Sequence, residues 1–281
     1  MIKSLRCDII KTMLSFGFLA AILVTFLLCF TETVYVNNST MQSFSGFEAL
    51  IKFDRSFMER NTSFCSLLVF EKALSGYSAM FLPILASFPF VFSQNAERNS
   101  GYIRFSIIRT KRLKYYSSKF ISAVLCGSMC VMLGVIIFGV FSAFAFPSIE
   151  CYPDLNPEYY APDGIIPQII KKLLSSLIYG GISAVPAFFL SAFCRNRYII
   201  LCVPFLIRFM YDTAIRKILM NSTEETIYKK IFPFECDAPS QIPYLEAGHK
   251  LISVILINVI FASLMLFGYI MIMELRIDKG D

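Results

Sequence analysis

The 281-residue sequence is 56% hydrophobic and only 16% charged, with a formal net charge of +6 and a mean hydropathy of +0.63. A soluble domain carries about 25% charged residues, and here the apolar residues fall in long runs, so the composition excludes an ordinary soluble fold and predicts an all-α membrane protein. The basic residues cluster beside those runs, which argues against nucleic acid as a partner and for charge that fixes orientation in a membrane.

In chain order, Lys3, Arg6 and Lys11 precede a first apolar span at about 13–30. Its length exceeds the 7–15 residues or so of a signal-peptide core, so it is expected to stay uncleaved. The bulky Leu28 before Cys29 argues against a lipoprotein signal. Residues 31–70 are mixed and polar, with a helical stretch expected around Phe47–Met58. A second span at 76–92 contains Pro83 and Pro89 and is expected to kink. A basic segment, 93–119, leads to a third span at 120–146, long enough to tilt in a hydrocarbon core of about 30 Å. After the polar loop 147–172 come a fourth span at 173–193, the tight basic turn Cys194-Arg195-Asn196-Arg197, and a fifth span at 198–211. A second polar segment, 212–250, precedes the sixth span at 251–273 and a short charged tail.

With both termini cytoplasmic, the inner segments carry fourteen lysines and arginines against five acids. That bias near span ends follows the positive-inside rule and puts 31–70, 147–172 and 212–250 outside. The whole chain, 1–281, reads as one membrane domain. The outer segments hold N-x-[ST] sequons at Asn37, Asn38, Asn61 and Asn221, which need not be modified. Among the outer cysteines Cys65, Cys151 and Cys236 there is room for one disulfide, and Cys151–Cys236 is the pairing that would join the two later loops.

Catalytic signatures are missing. The sequence has no GxxxxGK[ST], HExxH or GxSxG, a single histidine (His249), and no convergent nucleophile, acid and base. No metal site is expected. Ionisable residues are scarce inside the spans, which disfavours an ion-coupled carrier. Arg208 is read first as the structural partner of Asp212, one helical turn on, and second as a cation on a transport path.

The segment 93–119 is the most informative. Ser93 or Asn95 is expected to cap a short helix with Glu97 in its first turn, where an acid suits the helix dipole. Arg104, Arg109, Arg112 and Lys119 follow, interleaved with Tyr102, Phe105, Ile107 and Ile108, as in a basic amphipathic segment at headgroup depth. One reading gives this patch to orientation and acidic lipid. The sharper reading is a docking helix, because an acid among lipid-facing bases is better suited to an ion pair with a protein.

Glu97-Arg98-Asn99-Ser100-Gly101, then Arg109, Arg112 and Lys119, together with Pro83-Ile84-Leu85-Ala86 and Phe88-Pro89-Phe90 in the second span, resemble the permease subunits of type-2 ABC transporters. The resemblance extends to six spans with inside termini and an outer helical insertion between spans five and six. It implies that Glu97–Arg104 is a cytoplasmic coupling helix seated in a groove of a separate ATPase subunit carrying ATP and Mg, with Glu97, Arg98, Gly101, Tyr102, Arg104, Arg109, Arg112 and Lys119 as the coupling residues. It also implies a homo- or heterodimer of permeases in a bacterial cell membrane, with no catalysis on this chain itself. Spans two and five would line the path, at Ser78, Pro83, Pro89, Pro204 and Arg208. That largely apolar set suits export of a hydrophobic or amphipathic cargo, such as a peptide or lipid-like molecule. The alternative is a membrane sensory or interaction protein whose outer segments bind a ligand and whose basic inner segment recruits a partner.

Overall fold

A computed structural model describes residues 2–37, 41–74, 76–100, 112–152, 164–194, 196–221 and 251–278. The chain is mostly helical. Its elements are α1 (Ile2–Met13), α2 (Phe16–Cys29), β1 (Thr33–Asn37), β2 (Gln42–Ser45), α3 (Gly46–Lys52), α4 (Arg55–Met58), α5 (Ser66–Glu71), α6 (Gly76–Asn99), α7 (Arg112–Ala145), α8 (Ile165–Leu190), α9 (Arg197–Asn221) and α10 (Leu251–Asp278). Among the described residues four helical stretches are long and apolar enough to cross a membrane: Ser78–Arg98, Arg112–Cys151, Ile165–Leu190 and Asn258–Leu275. Helices α1 and α2 make a fifth if counted as one span broken by a 58° bend.

The bend has a local cause. Ser15 is extended and its hydroxyl accepts from the Phe18 amide, so α2 starts with its own cap instead of continuing α1. Helices α2, α6, α7 and α8 then pack around one apolar core that includes Leu82, Ala86, Val131, Val135, Ala184 and Phe188. Small residues set the approach of α7 to α8. A Cβ at Gly127 would stand 2.8 Å from the Ala86 carbonyl oxygen and 3.0 Å from the Ala184 Cβ. Helix α9 lies against α6, with Phe81 and Phe205 stacked at 5.1 Å.

The segment after α2 folds as a small unit. β1 and β2 form an antiparallel hairpin, and Ser45 and Glu48 then make a reciprocal capping box that starts α3. The Ser45 amide and the Lys52 ammonium hold the Glu48 carboxyl below its ordinary range. Tyr35, Phe44, Phe53, Phe57 and Phe64 form a ring cluster, with Tyr35 and Phe64 stacked at 5.2 Å and Phe53 and Phe57 at 4.7 Å. The expected helical stretch at Phe47–Met58 is therefore realised as α3 and α4, and the hairpin is an addition to it.

This unit is tied to the end of α7. The Ser66 amide donates to the Pro147 carbonyl at 2.9 Å, and the buried Tyr152 hydroxyl donates to the Met58 carbonyl at 2.7 Å. Burial raises the Tyr152 phenol to about 12, so it keeps its proton as donor at any physiological pH. Tyr152→Phe is expected to lower the stability of the hairpin unit by about 1 kcal/mol. Faster amide exchange around residues 53–65, with rates in α8 unchanged, would report it.

The structure corrects two boundaries. Helix α6 runs unbroken to Asn99, so Ser93 and Asn95 cap nothing and Glu97 sits in a last turn instead of a first. No glycine or proline interrupts residues 90–100, and Gln94, Glu97 and Arg98 each find a partner on another helix or helix end. Likewise α8 begins at Ile165, which puts Lys172 inside a helix at 3% exposure instead of in the loop 147–172. Its ammonium donates to the Glu71 carbonyl at 2.6 Å, a contact that brings α5 onto the start of α8.

Candidate functional site

Of the sequence-predicted residues, Glu97, Arg98 and Lys119 meet where α1, α6, α7 and α8 come together. On α1, Asp8 and Lys11 are three residues apart and share a face. On α7, Tyr115, Ser118 and Lys119 likewise fall on one side of a helix. The bend after α1 turns the first face across the end of the bundle onto the second, and the last turn of α6 brings Glu97 between them.

The result is a compact four-charge cluster. The Lys119 ammonium lies 2.6 Å from Glu97 Oε2 and 2.7 Å from Asp8 Oδ1. Lys11 closes the other side of Glu97 at 2.8 Å from Oε1. The Tyr115 hydroxyl stands 3.5 Å from Glu97 Oε2, and the Ser118 hydroxyl donates to Asp8 at 3.3 Å. The side chain of Glu97 is only 5% exposed, and those of Lys119 and Asp8 are 13% and 14%. Two carboxylates and two ammonium groups cancel. An acid in the last turn of a helix opposes the helix dipole, so Glu97 depends on these two lysines to stay ionised where it is.

Arg98, the next residue, faces a different neighbour. Its guanidinium donates to the carbonyls of Ser191 at 2.5 Å and Cys194 at 3.2 Å, where α8 ends. A cation there satisfies carbonyls that the helix leaves open and suits the negative end of the dipole. The last turn of α6 thus joins α1 and α7 through Glu97 and the end of α8 through Arg98. Beside it, Gln94 donates its amide to the Tyr269 hydroxyl at 3.2 Å, which links α6 to α10. Gln94 Oε1 and Asn95 Oδ1 remain buried acceptors lining a cleft of about 20 Å³, roughly the room of one water.

Of the coupling residues, the structure assembles Glu97, Arg98 and Lys119. Arg112 opens α7 and is exposed. Gly101, Tyr102, Arg104 and Arg109 lie outside the described residues. Of the path residues, Ser78 is buried, and its amide and hydroxyl both donate to Glu32, at 3.1 and 2.9 Å. That carboxylate acts as a distant cap on the start of α6. Pro83 and Pro89 on α6 and Pro204 on α9 are buried. The Arg208 guanidinium lies over the Tyr179 ring, 5.6 Å from its centre. The Asp212 side chain lies outside the described residues, as does Cys236. Cys151 is exposed in the short turn Ile149–Cys151 that follows α7, beside the Ser148 hydroxyl.

Sequence reasoning missed Asp8, Lys11 and Tyr115 as members of the site. The available signal was Asp8 itself, an acid within an otherwise basic N-terminal segment and one turn from Lys11. No protein-family model matches the sequence, and a search of curated proteins gives no match.

Proposed function

We propose that this chain is the membrane-spanning permease subunit of an ATP-driven ABC transporter, acting as a dimer with a separate cytoplasmic ATPase that holds ATP and Mg. In this reading the bent pair α1–α2 and helix α9 join the four long apolar helices to make six spans, with both termini in the cytoplasm of a bacterial cell. Residues 93–119 form the connection on which the ATPase acts. The cargo is hydrophobic or amphipathic, a peptide or lipid-like molecule, in keeping with the apolar side chains that α9 leaves exposed at Leu206, Ile207, Phe209 and Met210.

The observation that carries this reading is the cluster at Glu97. It binds both stems of the connection 101–111, one through Glu97 and the other through Lys119, to the N-terminal helix. Withdrawing such groups from water costs several kcal/mol per ion, by order of magnitude. A patch that only fixed orientation or gripped lipid would need exposed basic charge and nothing more. A joint that must pass displacement from the connection into three helices needs fixed geometry, which paired and buried charges supply.

Glu97→Gln removes one charge at constant shape and tests the reading. The variant is expected to co-purify with its ATPase from native membranes, while transport-linked ATP hydrolysis falls by roughly 5- to 150-fold, the usual range of coupling between sites. Hydrolysis at the parent level in an intact complex would overturn the role of Glu97. A chain that purifies with no ATPase would overturn the transporter reading itself and favour the sensory alternative, with the folded hairpin unit as its ligand-binding part.

A further inference from the structure

The hairpin unit carries a helix divided into three sectors. In α3, Gly46 and Ala49 are buried, and Leu50 packs against the core. At 100° per residue these three occupy one continuous side of the wheel. Glu48 and Lys52 lie opposite, exposed and paired with each other at 3.3 Å. Between the two, Phe47 and Ile51 form a third sector, apolar yet 57% and 73% exposed. A helix lying between protein and water needs two sectors. A third, apolar and uncovered, calls for a third medium.

The position of α3 identifies that medium. The Phe47 amide donates to the carbonyl of Phe30, the first residue past the end of α2, and the Gly46 amide donates to Glu32. Phe47 and Phe30 meet edge to face at 6.5 Å, and Phe30 meets Phe141 of α7 at 5.3 Å. Phe141 and Phe144 are 43% and 82% exposed at the end of a helix apolar enough to cross a membrane, Phe26 of α2 meets Phe141 at 5.8 Å, and Leu27, the next residue, is 53% exposed. The exposed apolar sector of α3 therefore continues the apolar surface of the bundle at its rim, with the charged sector turned away. We infer that α3 is an interfacial helix: Phe47 and Ile51 enter the acyl–headgroup boundary of the membrane at the end of α2, and Glu48 and Lys52 stay in water. Aromatic and aliphatic side chains at that depth anchor a peripheral segment to lipid. The hairpin unit is thereby held flat against the bilayer at one edge, whichever side of the membrane it occupies.

The sequence contains no tryptophan, so one introduced indole reports alone. Full-length Phe47→Trp and Ile51→Trp variants would be reconstituted into dioleoylphosphatidylcholine vesicles, with and without lipid brominated near the headgroup. Phe144→Trp serves as the bundle-surface reference, and Arg55→Trp, at a side chain 75% exposed, as the water reference. Both α3 variants are expected to emit at shorter wavelength than Arg55→Trp, to lose most of their intensity to brominated lipid, and to resist aqueous iodide. Emission and iodide quenching like those of Arg55→Trp would overturn the inference. Shielding from both quenchers would also overturn it, by showing a protein surface over α3, from a second copy or a partner. Absence of bromine quenching at Phe144→Trp would instead mark failure of the membrane-spanning reading on which this rests.

Discussion

Lys119→Met is expected to destabilise the chain by about 3–5 kcal/mol, as measured by reversible unfolding of purified protein in mixed micelles. Lys119 is shared by two carboxylates whose nearest oxygens, each within 2.7 Å of its ammonium, stand no more than about 5 Å apart. At an effective dielectric constant near 20, two negative charges at that distance repel by about 3 kcal/mol. Methionine replaces the stem of the lysine and little packing is lost, so the effect isolates the charge. Lys11 cannot substitute, because it already pairs with Glu97 and more than half of its side chain is in water. Neighbouring charges couple, and the prediction is sharpest as a cycle. In an Asp8→Asn/Glu97→Gln background the same Lys119→Met change should lose most of its cost, because no uncompensated carboxylate remains. An equal cost in both backgrounds would mean that Lys119 acts through packing, and the cluster would lose its standing as an electrostatic joint.

The positions of the long helices were legible because lipid-like environments demand long apolar runs, as at Phe120–Phe146, and little else in a sequence imitates them. Their ends were less so. Ser93–Asn99 reads as a new segment because its residues are polar, yet α6 continues through it. The partners that permit this, Lys11, Lys119, Ser191 and Tyr269, come from distant parts of the chain. Lys172 reads as a loop residue for the same reason: the carbonyl that holds it belongs to Glu71. In the hairpin unit the aromatic residues have no helical or strand period. Tyr35, Phe44, Phe53, Phe57 and Phe64 converge only once the Ser45–Glu48 capping box has turned the chain. The site was legible as Glu97, Arg98 and Lys119. Its electrostatic logic was not, since an acid expected to await a partner protein already has two lysines of its own.

Gly127→Leu is expected to prevent recovery of monodisperse protein, and Gly127→Ala to cost about 1–3 kcal/mol of stability. At this point α6, α7 and α8 approach with almost no side chain between them, since a Cβ on Gly127 would meet two backbone oxygens, of Ala86 at 2.8 Å and of Gly180 at 3.3 Å. Neither can move without shifting a helix. Small residues that let backbones approach closely are a principal source of helix association where lipid removes the hydrophobic drive. Gly139 provides the control on the same helix. Its Cβ would also fall 2.7 Å from a neighbour, but that neighbour is the ring edge of Phe70, a side chain able to rotate. Gly139→Ala should therefore cost distinctly less than Gly127→Ala in thermal unfolding followed by size-exclusion chromatography. Equal costs would mean that α7 and α8 are not in backbone contact.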